Sequence, residues 1–175
     1  SLNFPCSCNS HFVLIGQSDE RAGRQLEEIH RSLCGASVPI VRMNLVNAEL
    51  TKLAVNTFVT TKISFANMLA QLCEQLPDAD VDIVTGALGL DARIGPRYLT
   101  GALGYGGPCY PRDNQALIAL ARQLGRPSFI AEATDRLNRA YHESVLERIQ
   151  SVLMPGMTIG ILGLARKGEE FYQIT

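Results

Sequence analysis

No run of lysine and arginine reaches the length of a nucleic-acid patch, and the formal net charge over 175 residues is −1. Nucleic acid and charged membrane surfaces are therefore set aside as main partners. No apolar run approaches the roughly 18 residues that span a bilayer. The start "SLNFPCSCNS" lacks the basic-then-apolar order of a signal peptide. A disulfide framework is missing too. The five cysteines, Cys6, Cys8, Cys34, Cys73 and Cys109, are odd in number and irregular in spacing, which fits a reducing, cytoplasmic setting. Cys6 and Cys8 stand near His11, but zinc sites usually want two such pairs, and no metal is expected. No G-x-G-x-x-G opens a helix, so no dinucleotide cradle is legible. No segment repeats, and none is of low complexity.

What is present is the material of a globular domain. Hydrophobic residues make up 46% and charged residues 19%, enough apolar matter for a core. "FVLIGQ" over 12–17 reads as a short buried strand. "SDERAGRQLEEIHRSLCG" reads as a helix capped by Ser18 and stopped at Gly35, and "VPIVRMN" as a second strand. Strand, helix and strand in this order make one unit of an α/β layer, the tail of a domain whose body lies upstream.

From Asn44 to Leu76 the chain has neither glycine nor proline. Leu50, Leu53, Phe58, Phe65, Leu69, Leu72 and Leu76 recur at helical spacing. A second stripe holds Lys52, Asn56, Val59, Ile63, Ala66, Ala70 and Cys73. This predicts a helix of roughly thirty residues, buried on both faces and ended by Pro77, with one face covered by a partner subunit. "DADVDIVTGALG" predicts a short helix capped by Asp78. A long loop follows, and long ordered loops are usually functional. "PRDNQALIALARQLG" and residues 128–153 predict two more helices. "PGMTIGILGLA" predicts a turn and a fresh buried strand. The fold class expected is a mainly α central helical dimerisation domain, flanked by truncated α/β, Rossmann-like pieces.

The loop carries the candidate chemistry. In "GALGYGGPCYPRD" a lone thiol, Cys109, sits in a glycine-rich turn just before a helix. A helix N-terminus favours a negative group, and a thiolate there gains nucleophilicity. Gly104, Gly106 and Gly107 let a bulky ligand approach the backbone. The plainer reading is a small buried cysteine in a turn. A cysteine hydrolase needs a histidine base, and no spacing ties His11, His30 or His142 to this loop. Lys52 and Asn56 share one helix face: either the lysine stem snorkels to water, or its ammonium stabilises an oxyanion. Asp113 either complements the helix dipole or orients a water, a hydroxyl or Lys52. Arg93 either binds an anion or pairs with Asp91.

Together "NAELTKLAVNTFVTTKISFAN", "GLDARIG" and "GYGGPCYPRD" resemble the UDP-glucose/GDP-mannose dehydrogenase family, over roughly residues 11–165. The resemblance implies NAD-dependent, two-step oxidation of a sugar C6 hydroxyl to a carboxylate, with UDP-glucose and its product UDP-glucuronate favoured over GDP-mannose or UDP-N-acetylmannosamine. It implies that residues 1–43 end an N-terminal NAD-binding domain. Residues 44–155 would form the central helical domain of a homodimer, and 156–175 would open a nucleotide-sugar-binding domain. Cys109 matches the nucleophile that forms a thiohemiacetal and then a thioester. Lys52 matches the lysine that stabilises the alkoxide and oxyanion, Asn56 a polar partner that helps hold the substrate oxygen and an ordered water, and Asp113 the aspartate that organises that water and the lysine. Arg93 matches an arginine reaching the sugar nucleotide of the other subunit. Tyr98, Leu99, Gly104, Tyr105, Gly106 and Gly107 match the loop that wraps the nucleotide. The start does not resemble the family's glutamate motif, and "ARKGEEFYQIT" departs from its usual continuation. The expectation is therefore a fragment, inactive alone, with NAD held mainly by the missing N-terminal domain. The rival from another class is an inactive helical dimerisation module in which Cys109 is a relic.

Overall fold

The structure is a computed structural model, which describes residues 12–35 and 37–160. The Cys6, Cys8 and His11 group, and any strand after residue 160, lie outside the described residues.

Strand β1 (Val13–Gln17) and strand β2 (Ile40–Asn44) pair in parallel, with Val13 opposite Ile40 and Gln17 opposite Asn44. Helix α1 (Glu20–Cys34) makes the crossover. Parallel strands need such a connection. The cap of α1 is Asp19 rather than Ser18: its carboxylate accepts from the backbone N–H of Ala22 at 2.8 Å. Gly35 ends the helix at φ 79°.

Strand β2 turns directly into α2 (Leu45–Cys73), a helix of 29 residues, about 43 Å long. Asn44 caps it by accepting from the N–H of Asn47 at 2.8 Å. The first turns lie against β1, where a Cβ on Gly16 would stand 2.9 Å from that of Ala48. Helix α2 stops at Cys73, short of Pro77. The residue before a proline is driven out of helical geometry, and the turns preceding it absorb the change. Helix α3 (Val81–Gly89) is capped by Asp80, not Asp78, through the N–H groups of Asp82 and Ile83. Asp78 instead adopts a positive φ of 63° in the turn. Helices α4 (Tyr110–Gln123) and α5 (Phe129–Val152) complete the body. Residues 157–160, expected to enter a buried strand, form no strand and are exposed.

The interior lies where α2 meets α4 and α5. Its apolar members are mostly modest in size: Ile63, Ala66, Ala70, Ile118 and Ala131. Between them run buried polar groups. Thr61 and Thr134 share a hydroxyl hydrogen bond of 3.0 Å, and Ser64 Oγ donates to the Thr134 carbonyl at 3.3 Å. Small side chains let α2 and α5 approach, and each buried polar atom then needs a partner.

The expected burial of α2 on both faces is only half met within this chain. The face bearing Asn56, Thr60, Ile63, Asn67 and Ala70 is buried. Phe58, Phe65 and Leu72, at seven-residue spacing, are exposed, Phe58 to 68%. Among the described residues no helix is long and apolar enough to cross a membrane.

Candidate active site

Cys109 is the residue from which α4 springs. It occupies the N-cap position, is exposed, and makes no side-chain capping bond. Pro111 sits in the first turn, where its missing N–H leaves no bond unmade. A residue at this position stands at the positive end of the helix dipole.

One turn further, the N–H of Asp113 donates to the Cys109 carbonyl at 2.9 Å. The Asp113 carboxylate is buried, 3% exposed. A buried carboxylate is tolerated only with partners, and four donors converge on it. Asn56 Nδ2 donates to Oδ2 at 2.6 Å, and Arg112 donates to Oδ1 through Nε at 3.1 Å and Nη2 at 3.0 Å. Lys52 Nζ stands 3.8 Å from Oδ2 with its side chain 61% exposed. The i, i+4 spacing thus brings Lys52 and Asn56 to one acid, whose backbone is bonded to the thiol residue. Arg112 was not singled out from sequence, although its adjacency to Asp113 in "PRD" was the available signal.

The loop from 90 to 109 has no regular structure and is held by side chains from three helices. Lys62 of α2 donates to the carbonyls of Ile94 and Gly95 at 3.0 and 3.1 Å. Asn67 of α2 accepts from the N–H of Ala102 at 2.8 Å. Asn138 of α5 takes both backbone groups of Tyr105: Oδ1 accepts from its N–H and Nδ2 donates to its carbonyl, each at 2.9 Å. Asn114 of α4 donates to the Tyr105 hydroxyl at 3.0 Å, and that hydroxyl donates to Asp135 at 3.2 Å. Burial, then the charge of Asp135, pushes the Tyr105 phenol well above its ordinary value. Sequence reasoning missed Lys62, Asn67, Asn114, Asp135 and Asn138.

The other predicted loop residues divide. Arg93 forks onto Asp91, with Nη2 to Oδ2 at 2.6 Å, and its side chain is 88% exposed. The paired arginine holds the Asp91 carboxyl below its usual range, and Asp91 in turn raises Arg93. The guanidinium is not brought into the Asp113 cluster. Tyr98 has a positive φ of 65° and is partly exposed, whereas Leu99 and Tyr105 have buried side chains. Both backbone groups of Tyr105 are moreover already taken by Asn138. Gly104 and Gly107 take φ values of 94° and 77°, open to glycine at little cost, and Gly106 is free of contacts at its would-be Cβ.

His142 lies beside Gly104, but neither it nor His30 hydrogen bonds to Cys109, so the described residues give the thiol no histidine base. No group of metal-binding side chains occurs among them. A dinucleotide pyrophosphate binds at a bare helix N-terminus after a strand. At the β1–α1 junction the Asp19 carboxylate already fills that place. The described β1–α1 junction therefore offers no bare helix N-terminus to a dinucleotide.

The model of the UDP-glucose/GDP-mannose dehydrogenase family, central domain, matches residues 46–140. UDP-glucose 6-dehydrogenase TuaD of Bacillus subtilis is 37% identical over 161 residues, 91% of this chain and 34% of that protein. UDP-glucose 6-dehydrogenase of Pseudomonas aeruginosa is 35% identical over 158 residues, 89% of this chain and 35% of that protein. A UDP-glucose dehydrogenase structure from Pyrobaculum islandicum superposes with a TM-score of 0.71 at 36% identity. It covers 81% of this chain and 32% of that one. The chain belongs to the UDP-glucose/GDP-mannose dehydrogenase family, with that central domain at its heart. It spans about a third of the length of the curated relatives it matches.

Proposed function

We propose that this chain is the substrate-capturing part of a nucleotide-sugar 6-dehydrogenase acting on UDP-glucose, with Cys109 as nucleophile. The observation that carries the reading is the thiol at the α4 N-terminus, one turn from a buried acid that gathers Lys52, Asn56 and Arg112. The relatives' names favour UDP-glucose over GDP-mannose and UDP-N-acetylmannosamine.

The oxidant in this reading is NAD, held mainly by the N-terminal domain that residues 1–43 end. Capture and release fall to this chain. The Cys109 sulfur adds its electron pair to the C6 aldehyde carbon, and the carbonyl π pair moves to oxygen. Lys52, the mobile cation of the cluster, offsets that oxyanion. After oxidation to the thioester, water adds to the carbonyl and the C–S bond breaks, returning the thiolate. Asn56 and Asp113 orient that water. Arg93, freed from Asp91, and the backbone of Gly104, Gly106 and Gly107 hold the sugar nucleotide.

In the same reading, residues 1–43 close an NAD-binding domain, 44–155 form the central domain, and 156–175 begin a nucleotide-binding one. A second copy covers Phe58, Phe65 and Leu72 on α2, making a homodimer. The test is NADH formed per UDP-glucose consumed by the longer parent protein of this reading, with GDP-mannose and UDP-N-acetylmannosamine beside it. Two NADH per UDP-glucose, lost in Cys109→Ala, support the reading. No NADH from any of the three sugars removes it in favour of an inactive helical module.

A further inference from the structure

We infer that Asn138 is a positioning residue for Cys109, acting from α5 through the backbone of Tyr105. The inference rests on the reading that Cys109 is the reactive thiol, and extends it to a residue outside the Lys52–Asn56–Asp113 cluster.

Three observations carry it. First, the Asn138 carboxamide pairs with both the N–H and the carbonyl of Tyr105, as a neighbouring strand would. A loop without a strand partner must satisfy these buried groups somehow, and one side chain does so here. Second, the loop sits directly on that side chain: a Cβ at Gly104 would stand 2.5 Å from Asn138 Oδ1. Third, Tyr105 is fixed at its far end as well. Its ring is 2% exposed, its hydroxyl is bonded to Asn114 and Asp135, and its edge meets Tyr110 at a centroid distance of 6.3 Å. Tyr105 is therefore a peg, and Asn138 grips its backbone. Between the peg and the thiol lie only Gly106, Gly107 and Pro108. The grip on Tyr105, three residues from the thiol residue's neighbour, therefore sets where Cys109 emerges relative to Asp113.

The test uses the purified longer parent protein, this chain's other cysteines replaced by serine, with Asn138 and Ser64 intact and as Asn138→Ala, Asn138→Asp and Ser64→Ala. Ser64 donates to the Thr134 carbonyl between α2 and α5, so Ser64→Ala removes a buried bond between these helices and controls for lost stability. The readouts are the rate of Cys109 alkylation by iodoacetamide across pH 6 to 9, and kcat and KM with UDP-glucose. Misplacing a reacting group by about 1 Å can cost roughly a hundredfold in rate. Asn138→Ala should lower kcat by at least about tenfold and displace the alkylation pH profile. Asn138→Asp keeps the acceptor for the Tyr105 N–H but sets an oxygen against its carbonyl, and should show the same changes. Ser64→Ala should match wild type per folded molecule. Equal alkylation profiles and equal kcat in both folded Asn138 variants and wild type overturn the inference. If Asn138→Ala does not fold, Asn138→Asp decides alone. A displaced alkylation profile in a protein that turns over no nucleotide sugar leaves the positioning role standing and removes the dehydrogenase reading.

Discussion

Asn56 Nδ2 meets Asp113 Oδ2 at 2.6 Å, and this bond joins the middle of α2 to the first turn of α4 fifty-seven residues later. Both residues are buried. Replacing the amide by an acid, Asn56→Asp, sets two carboxyls against each other at that distance. One must then hold a proton, and its folded-state pKa rises above the unfolded value. Stability tied to a raised carboxyl pKa is present at low pH and lost as pH climbs through the folded pKa. The variant's Tm should therefore lie below wild type at pH 8 and recover towards it near pH 5. A constant deficit across that range would show that the two carboxyls do not share a site.

Lys52 should separate activity from stability. Its ammonium stands 3.8 Å from Asp113 on a side chain that is 61% exposed, and such pairs contribute about 0–1 kcal/mol. Asp113 keeps Asn56 and Arg112 without it. Lys52→Met is expected to shift the urea midpoint little while lowering kcat about 10²–10³-fold, the usual loss of one oxyanion donor. A large fall in stability with proportionate loss of activity would make Lys52 a structural cation instead.

Tyr105 predicts a loss of stability on the alkaline side. Burial and the charge of Asp135 raise its folded pKa above the unfolded value. Above about pH 10 the unfolded chain releases the phenolic proton that the native state retains, so stability falls as pH rises. Tyr141 shifts in the same direction through burial and Glu74, and only a difference measurement isolates Tyr105. Tyr105→Phe loses bonds to Asn114 and Asp135 and should be less stable at pH 7. That gap should narrow between pH 9 and 11. A gap that stays constant refutes the assignment.

Much of the fold is legible locally. Asn44 followed by an uninterrupted helical pattern announces α2, Pro111 announces the first turn of α4, and glycines around Cys109 mark an open loop. Local signals fail by a residue or two where two capping side chains compete, as with Ser18 against Asp19 and Asp78 against Asp80. They fail more seriously on α2, because apolar periodicity marks every face that avoids water but not which one its own chain covers. The covered face proved to be the one rich in Asn and Thr, while Phe58 and Phe65 point outward. Within the site, Lys52, Asn56, Cys109 and Asp113 come from short motifs. Lys62, Asn67 and Asn138 do not, because each grips backbone 32 to 35 residues away in sequence, a spacing no motif encodes. The usable hint was a polar stripe, Thr134, Asp135 and Asn138, on a helix otherwise needed for packing.

The glycines of the loop offer the sharpest test of how it is seated, because their surroundings differ. Gly106 has no positive φ and nothing within 4 Å of a would-be Cβ, so Gly106→Ala should leave stability near wild type. Gly107 has φ 77° in open space, so Gly107→Ala carries the backbone term alone, about 1–2 kcal/mol. Gly104 has φ 94°, and its Cβ would also strike Asn138 Oδ1 at 2.5 Å and His142 Nε2 at 2.8 Å. His142 is exposed and can swing away, but Asn138 is buried and already bonded twice to Tyr105. Urea unfolding should therefore rank the losses Gly104→Ala above Gly107→Ala above Gly106→Ala. Shortening the obstacle removes the steric part but not the backbone part. The double variant Gly104→Ala with Asn138→Ala should thus be more stable than the sum of the two single losses predicts, since contacting residues couple. Strict additivity would mean that Gly104 does not rest on Asn138.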